Sequence, residues 1–256
     1  MAAFLKKLFF SNISKNKFTP KVVMTLGNAL VNENEMVFAI GDIHGRLDLL
    51  EKQIQKIRHK TIEFKNKYAF HLVFLGDYID RGPQSRQVIE TLMSLKIDNC
   101  TIHYLMGNHE DILVKFLSNP HKYYKIWMAI GGIATLSSFG INSLDDVQLV
   151  KQQLLEKMGM KMIGFLSNLE ISYINGDYFF CHAVPDNDKP LNLQSENTLL
   201  NNRKVNVSEY EKIVVHGHVS RDKVEFIGSR INIDTGAYAT EKLTCLLVKN
   251  HNQTVL

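Results

Sequence analysis

Short apolar runs and polar loops alternate in a regular order through the first half of the chain. Three runs have the length and composition of buried strands: MVFAI (36–40), HLVFL (71–75) and TIHYLM (101–106). A polar loop follows each run, and apolar residues at helical spacing follow the loop, as at Leu47, Leu50, Ile54 and Ile57. Three strand–loop–helix units in succession predict βαβ connections and a largely parallel sheet. The loops after the strands should then meet at one edge, where such sheets bind ligands.

The pattern changes twice in the second half. Residues from about 119 to 168 have helical character, which predicts a helical insertion over the edge of the pocket. Strand-like runs then return in ISYINGDYFFCHA, KIVVHGH (212–218), VEFIGSRINID and LTCLLV, with hairpin turns expected at Asn175-Gly176 and Gly228-Ser229. We therefore expect a leader of uncertain order over residues 1–35 and one α/β domain over 36–256 that contains the insertion.

Composition excludes some classes of protein. The 256 residues are 45% hydrophobic, enough for a sizeable core, and no run approaches the ~18 apolar residues of a membrane span. The N-terminal MAAFLKKLFF has no small-residue cleavage site after it, so a signal peptide is not expected. A frayed leader or a strap packed on the core is favoured, with contact to a membrane surface as the alternative.

Charge and cysteine content add two expectations. The net charge of +4 comes from scattered lysines without a basic aromatic stripe, so no nucleic-acid partner is expected and an anionic substrate is permitted. Cys100, Cys181 and Cys245 are odd in number and widely spaced, which predicts buried thiols in a reducing compartment and a cytoplasmic protein. Nothing in the sequence indicates the oligomeric state.

The ends of the predicted strands carry an unusual density of polar side chains. These are Asp42, His44, Asp77, Asp80, Arg81, Asn108, His109, His182 and His218. Carboxylate, imidazole and amide groups form the ligand set of divalent Mn, Fe or Zn, and the total exceeds what one ion needs. Two ions sharing an aspartate are a known device for clamping a phosphoryl group. We therefore expect Asp77 to bridge two cations, with Asp80 and Arg81 serving the chemistry beside them.

Each of these residues has a structural alternative when taken alone. Asp42 could form an Asx turn, Asp80 an ion pair, and Asn108 a helix cap, while His182 and His218 could be ordinary hydrogen-bonded histidines. The metal hypothesis is favoured because five separate strand ends carry metal-capable groups in one topological direction. The remaining histidines lack that setting and are interpreted as structural or surface residues, with packing favoured for His216: His59, His71, His103, His121, His216 and His251.

The motifs together resemble the phosphoprotein phosphatase family of calcineurin-like metallophosphoesterases, and within it the compact bacterial and phage serine/threonine phosphatases. The matching segments are GDIHG (41–45), GDYIDRG (76–82), GNHE (107–110), CHA (181–183) and GH (217–218), within a likeness that covers roughly residues 36–248. Three motifs in this order at these separations are highly specific. The resemblance implies an α/β metallophosphoesterase fold: a four-layer sandwich of two mixed β-sheets flanked by helices, with the small helical insertion.

The resemblance also implies roles for individual residues. Asp42, His44 and Asp77 would bind the first metal, and Asp77, Asn108, His182 and His218 the second, with manganese favoured over iron or zinc. His109 would be the general acid, oriented by Asp80, and Arg81 and Arg203 would bind the substrate phosphate. Metal-bound hydroxide would attack phosphorus directly and in line, without a phosphoenzyme.

Two departures from the family pattern affect the expected substrate: Met106 stands where relatives that act on proteins often have arginine, and Val184 stands where many have glycine. A third departure, Asn201 where an aromatic residue is usual, bears on the assignment of Arg203 instead. The favoured function is a phosphomonoester hydrolase of the protein serine/threonine phosphatase type. The alternative is a hydrolase of dinucleoside polyphosphates or another small phosphorylated molecule, which the absent arginine makes more plausible. A non-enzymatic binding scaffold is disfavoured because every expected ligand is present.

Overall fold

The computed structural model of the protein describes residues 24–142, 146–205 and 209–256. Its strands are β1 Glu35–Ile40, β2 Ala69–Phe74, β3 Cys100–Tyr104, β4 Ser172–Asn175, β5 Tyr178–Cys181, β6 Ile213–His216, β7 Glu225–Ile227, β8 Arg230–Asn232, β9 Cys245–Lys249 and β10 Asn252–Val255. Its helices are α1 Leu47–Phe64, α2 Ser85–Ser94, α3 Asn108–Ser118, α4 Pro120–Ala129, α5 Gly132–Ser138, α6 Val147–Ser167, α7 Glu196–Asn201 and α8 Ala237–Thr240, with a 3-10 turn at Leu191–Leu193.

Two five-stranded mixed sheets form the centre of the molecule. The first has the order β10-β9-β1-β2-β3, and the second the order β4-β5-β6-β8-β7. The neighbours β1, β2 and β3 are parallel, as are β5, β6 and β8, while β9, β10, β4 and β7 pair antiparallel with their neighbours. The predicted sandwich of two mixed sheets flanked by helices is therefore confirmed.

The alternation of side chains along β1 explains the layers. Met36, Phe38 and Ile40 belong to a large apolar cluster with the helices, whereas Val37 and Ala39 belong to a second cluster between the sheets. A strand buried on both faces reads as a continuous apolar run, which is what the sequence shows at 36–40. The predicted hairpins are present, with Gly176 and Gly228 at positive φ in their turns.

The helices predicted over residues 119–168 are α4, α5 and α6. Trp127, Leu136 and Leu154 join the same apolar cluster as the strands β1 and β2, so these helices continue the layer that α1 begins. They also contact the strand-end loops, because Gly131 accepts the Arg81 backbone N–H. The helices α4, α5 and α6 therefore complete the apolar core, and they also form a wall beside the strand-end loops.

The parallel arrangement brings five strand ends to one edge of the sandwich. The loops after β1 and β2 interlock through backbone hydrogen bonds: the N–H groups of Ile43 and His44 both donate to the Asp77 carbonyl. From the second sheet, the Gly217 N–H donates to the His182 carbonyl, which joins the ends of β5 and β6. The polar side chains predicted to lie together are on these loops.

Candidate active site

Five polar side chains of the strand-end loops stand on backbone in the left-handed region. The φ angles are +46° at His44, +52° at Asp77, +70° at Asp80, +67° at Arg81 and +64° at His218. This conformation disfavours residues with a Cβ, and it persists where the surrounding structure over-determines it, as at functional sites. The tertiary structure therefore imposes on these five residues a backbone conformation that they do not intrinsically prefer, and this conformation sets the directions of their side chains.

Glu110 in the first turn of α3 holds the second and third loops together. Its buried carboxylate accepts the backbone N–H groups of Asp77, Tyr78, Ile79 and Gly107. Gly107 must be glycine because a Cβ there would overlap Asp77. The sequence places Glu110 in the GNHE motif but does not reveal this role, because its four partners lie on two separate loops.

The Asp77 carboxylate lies between two groups of converging donor atoms. One oxygen, Oδ2, is 3.4 Å from His44 Nε2 and 3.7 Å from His109 Nε2. The other oxygen, Oδ1, is 3.5 Å from His182 Nε2. Two sets of buried groups can therefore each hold a metal ion, His44–Asp77–His109 and Asp77–His182–His218, and Asp77 is common to both.

Asn108 and His218 complete the second set. His182 Nε2 lies 3.1 Å from both Asn108 Oδ1 and His218 Nδ1. Buried Nε2 of His218 has no hydrogen-bond partner among residues 24–142, 146–205 and 209–256. Several acceptor atoms facing one another, with an unpartnered imidazole nitrogen beside them, fit a shared cation better than any hydrogen-bond scheme.

Backbone carbonyls set the tautomers that metal binding requires. Nδ1–H of His44 donates to the Ile79 carbonyl at 2.8 Å, and Nδ1–H of His182 donates to the Leu75 carbonyl at 2.9 Å. In both rings Nε2 is left as the lone-pair nitrogen that faces Asp77. Burial lowers the pKa of His44 to about 3 and that of His218 to about 2, and it also lowers the pKa of His182. The imidazoles therefore stay neutral and able to bind a cation.

Asp42 occupies a different place from the other predicted ligands. Its carboxylate accepts the His218 backbone N–H at 3.1 Å, and it is absent from both sets of converging atoms in the described chain. Burial, with Asp234 and Asp77 nearby, raises the pKa of Asp42 well above its ordinary value. A cation beside these carboxylates would reverse that effect, so the donor chemistry fits a metal there as well.

His109 and Asp80 form a buried hydrogen-bonded pair next to Asp77. His109 Nδ1 lies 2.7 Å from Asp80 Oδ2, which leaves Nε2 facing the site. Although burial opposes it, the Asp77 and Asp80 carboxylates raise the pKa of His109 above its ordinary value. A raised pKa makes the protonated form, which can donate a proton, more available.

Two side chains from the helical segment hold Asp80 in place. Trp127 Nε1–H donates to both carboxylate oxygens at 3.1 Å, and the Thr135 hydroxyl donates to Oδ1 at 2.6 Å. These contacts span 47 and 55 residues along the chain, so no local sequence signal reveals them. Asp80 is thereby held in its orientation toward His109.

Comparison with known proteins identifies the family. The model of the calcineurin-like phosphoesterase family matches residues 36–247, which is most of the chain. The chain belongs to this family. It is therefore a phosphoesterase, a hydrolase of a metal-dependent family, and the donor sets around Asp77 fit that dependence.

Named relatives of this calcineurin-like phosphoesterase differ in substrate. It is 28% identical to the asymmetrical bis(5'-nucleosyl)-tetraphosphatase PrpE of Bacillus mycoides, over 81% of this chain and 88% of that protein. It is 23% identical to serine/threonine-protein phosphatase 2 of Escherichia coli, over 83% and 93%. A crystal structure of a candidate diadenosine tetraphosphatase shares the fold, with a TM-score of 0.59 and 20% identity over 89% of this chain and 95% of that one.

The two predicted phosphate-binding arginines of this phosphoesterase both reach the site. Arg81 Nη2 lies 3.2 Å from His109 Nε2, and its guanidinium stacks 4.7 Å over the ring of Tyr238. Arg203 is exposed and its Nη1 donates to the His218 carbonyl at 3.1 Å. The guanidinium groups therefore flank the donor sets, Arg81 beside the first and Arg203 beside the second.

Tyr238 is a site residue that the sequence analysis missed. Its ring carries Arg81 on one face and meets His44 edge-on at 5.4 Å, and 40% of the residue is exposed. It lies on α8, whose position is tied by a hydrogen bond from Arg46 to the Ala237 carbonyl. Tyr238 is thus a positioning residue for Arg81 at the mouth of the site.

The remaining histidines follow the structural interpretation where the contacts are defined. His216 is buried, accepts from Arg230 Nη1 at 3.0 Å and donates through Nδ1 to the Gly217 carbonyl at 2.8 Å. Burial lowers the pKa of His216 to about 3. It therefore braces the strand end that carries His218 without entering the donor sets.

Replacing Thr135 with valine is expected to lower kcat about tenfold. The change keeps the shape of a fully buried side chain but removes the hydroxyl that donates to Asp80, and a hydrogen bond to a charged group contributes ~1.5–3 kcal/mol. Thr135→Ser keeps the donor and should restore most of the activity. The measurement is kcat and KM for both variants beside their melting temperatures. Equal losses in the two variants would mean that packing, not the hydrogen bond, is responsible.

Replacing Tyr238 with leucine is expected to raise KM about tenfold with a smaller change in kcat. The leucine removes a cation–π contact of roughly 0.5–2 kcal/mol that orients Arg81 toward the phosphate. Tyr238→Phe keeps the ring face and should restore KM to within about twofold. Steady-state kinetics and the inhibition constant of inorganic phosphate test this. A phenylalanine variant as impaired as the leucine one would contradict the role of the ring.

Proposed function

We propose that this phosphoesterase is a dinuclear enzyme that hydrolyses phosphomonoesters. Asp42, His44 and Asp77 would hold the first ion, and Asp77, Asn108, His182 and His218 the second. The observation that carries the proposal is the Asp77 carboxylate, one oxygen of which faces His44 and the other His182, two imidazoles whose pKa is lowered by burial. Manganese is favoured over iron or zinc because half of these six ligands are carboxylate or amide oxygens, which suit it.

The residues divide the chemistry between them. Bound there, two divalent cations would supply Lewis acidity that makes water a stronger nucleophile and neutralises charge on the phosphoryl oxygens. His109 delivers a proton to the departing oxygen, and Asp80 holds its tautomer through the 2.7 Å hydrogen bond. Arg81 and Arg203 grip the phosphate from two sides, which aligns phosphorus for direct in-line attack by water.

We propose phosphoserine and phosphothreonine proteins as the substrates, as in the Escherichia coli relative. Dinucleoside polyphosphates are the second candidate, supported by the PrpE relative and by the absence of arginine at position 106. Met106 packs against the main apolar cluster, and its backbone N–H donates to the Glu170 carbonyl at 2.7 Å. Position 106 therefore offers no positive charge to an acidic phosphopeptide.

Hydrolysis by the manganese-loaded protein separates the two substrates. Phosphate release from a phosphoserine/phosphothreonine peptide and nucleotide products (AMP and ATP, or two ADP) from diadenosine tetraphosphate are measured side by side, each with a chelator control. Faster chelator-sensitive turnover of the peptide supports the protein phosphatase hypothesis, and preference for the dinucleotide supports the alternative. Metal-loaded protein that turns over neither substrate would overturn both.

We also propose that residues 36–256 form one catalytic domain and that the protein works in the cytoplasm. The free thiols Cys100, Cys181 and Cys245 support a reducing compartment, two of them being buried. Among the described helices, none combines the length and apolar character needed to cross a membrane. The predicted leader lies largely outside the described residues, which begin at Met24.

A further inference from the structure

A second concave surface lies apart from the donor sets. It is a cavity of about 900 Å³ between α1, the segment before β9 and the end of β10. None of the residues proposed to bind metal or phosphate lines it. Its volume falls in the range of small-molecule sites, which is roughly 300–1,000 Å³.

The rim of this cavity is positively charged. Four lysines line it, Lys52, Lys56, Lys223 and Lys242, against two acidic residues, Asp222 and Glu241. In the part of the chain that the structure describes, none of the four lysines has a carboxylate within 4.0 Å, whereas Lys60, Lys115 and Lys189 elsewhere do. Several unpaired cations around one concavity repel one another and attract an anion.

The floor is apolar and contains one buried polar atom. Leu49, Leu243 and Val255 line the cavity together with Gln53, which is 7% exposed. The Gln53 amide nitrogen donates to the Leu243 carbonyl, which settles the orientation of the amide. Its oxygen, Oε1, has no partner within the described residues. The floor thus offers apolar contact and an unused hydrogen-bond acceptor, a combination found in ligand sites.

One wall of the cavity is shared with the active site. Thr235 and Glu241 line the cavity, and α8 between them carries Tyr238, which holds Arg81 and touches His44. Hydrogen bonds brace this segment: the Thr240 hydroxyl donates to the Thr235 carbonyl at 2.6 Å, and the Thr235 hydroxyl donates to the Lys242 carbonyl at 2.8 Å. A ligand that shifts Thr235 or Glu241 therefore acts on Tyr238 through a short, stiff connection.

We infer that this cavity is an effector site for a small organic anion with an apolar ring, and that its occupation changes substrate affinity through Tyr238. The anionic group sits among the lysines, the ring lies on Leu49, Leu243 and Val255, and a ring N–H or O–H donates to Gln53. The binding half of this inference is independent of the proposed function. The effect on affinity rests on the phosphatase activity.

The test uses 8-anilinonaphthalene-1-sulfonate, a fluorescent aromatic anion, on the full-length manganese-loaded protein. Wild type should show saturable binding that weakens about tenfold in Lys52→Glu/Lys56→Glu, since two charge reversals each remove an attraction, modest at an exposed position, and add a repulsion. Val255→Glu, at a residue 47% exposed, should also weaken binding because it places a negative charge on the apolar floor of the cavity. The matched control Lys125→Glu/Lys161→Glu changes the same charge at exposed positions outside the cavity and should bind like wild type.

Two further results decide between sites. The probe should bind Arg81→Ala as tightly as wild type, and it should change the KM of wild type for p-nitrophenyl phosphate but not that of Lys52→Glu/Lys56→Glu. Binding lost in Arg81→Ala and kept in the lysine variant would place the probe at the catalytic site and overturn the inference. Equal binding by the lysine variant and its control would also overturn it. An inactive protein that still shows the lysine-dependent binding would refute the proposed function while leaving the site in place.

Discussion

Asp77→Asn is expected to impair binding of both metal ions together and to lower turnover at least ~10³-fold. Its two carboxylate oxygens face different groups of imidazoles, 3.4 Å from His44 and 3.5 Å from His182, and an amide offers only one oxygen and no charge. Loss of the ions removes several kcal/mol of charge stabilisation, and each 1.36 kcal/mol is tenfold in rate. The measurement is metal content by mass spectrometry beside phosphate release.

Asparagine is a conservative test of this role because it preserves the local fold. Asp77 Oδ1 accepts the His109 backbone N–H at 3.1 Å, and the amide oxygen of asparagine can do the same. Asp111→Asn is the matched control, since it removes one carboxylate from a surface pair with Lys115 on the neighbouring α3. The control should keep both ions and full activity. If Asp77→Asn kept one ion at full occupancy, Asp77 would not be the bridging ligand.

His109→Asn is expected to lower turnover of a phosphoserine peptide by ~10²-fold or more while both metal ions stay bound. General acid catalysis contributes about 10²–10⁴-fold, and the elevated pKa of His109 suits it to this task. Metal content is measured as well because the geometry also allows His109 to be a metal ligand. His109 Nε2 is 3.7 Å from Asp77 Oδ2 and belongs to the first set of converging donor atoms.

A change of leaving group separates the acid from the ligand. The nitrophenolate of p-nitrophenyl phosphate departs without a proton, so His109→Asn should impair its hydrolysis much less than that of a serine ester. A ligand role predicts the same loss for both substrates, together with loss of metal. That second pattern would reassign His109 to the first metal site.

Much of the sandwich could be predicted because its strands are buried on one or both faces. The apolar runs at β1, β2 and β6 and the turns at Gly176 and Gly228 are local signals, and the structure has these elements where they were expected. The strand β10 was missed. Its sequence, Asn252–Val255, is largely polar and exposed because it pairs at the edge of the first sheet with β9.

The sequence by itself determined the family, the order of strands and loops, and the chemical identity of the donor groups, because motifs and periodicity are properties of neighbouring residues. Only the tertiary structure decided that Trp127 and Thr135 hold Asp80, that Glu110 joins two loops, and that Tyr238 carries Arg81. The contacts of Asp80, of Arg81 and of Glu110 with the loop after β2 join residues 31 to 157 positions apart. Such pairs meet because helices and sheets pack to bury their apolar faces, and packing leaves no trace in local spacing.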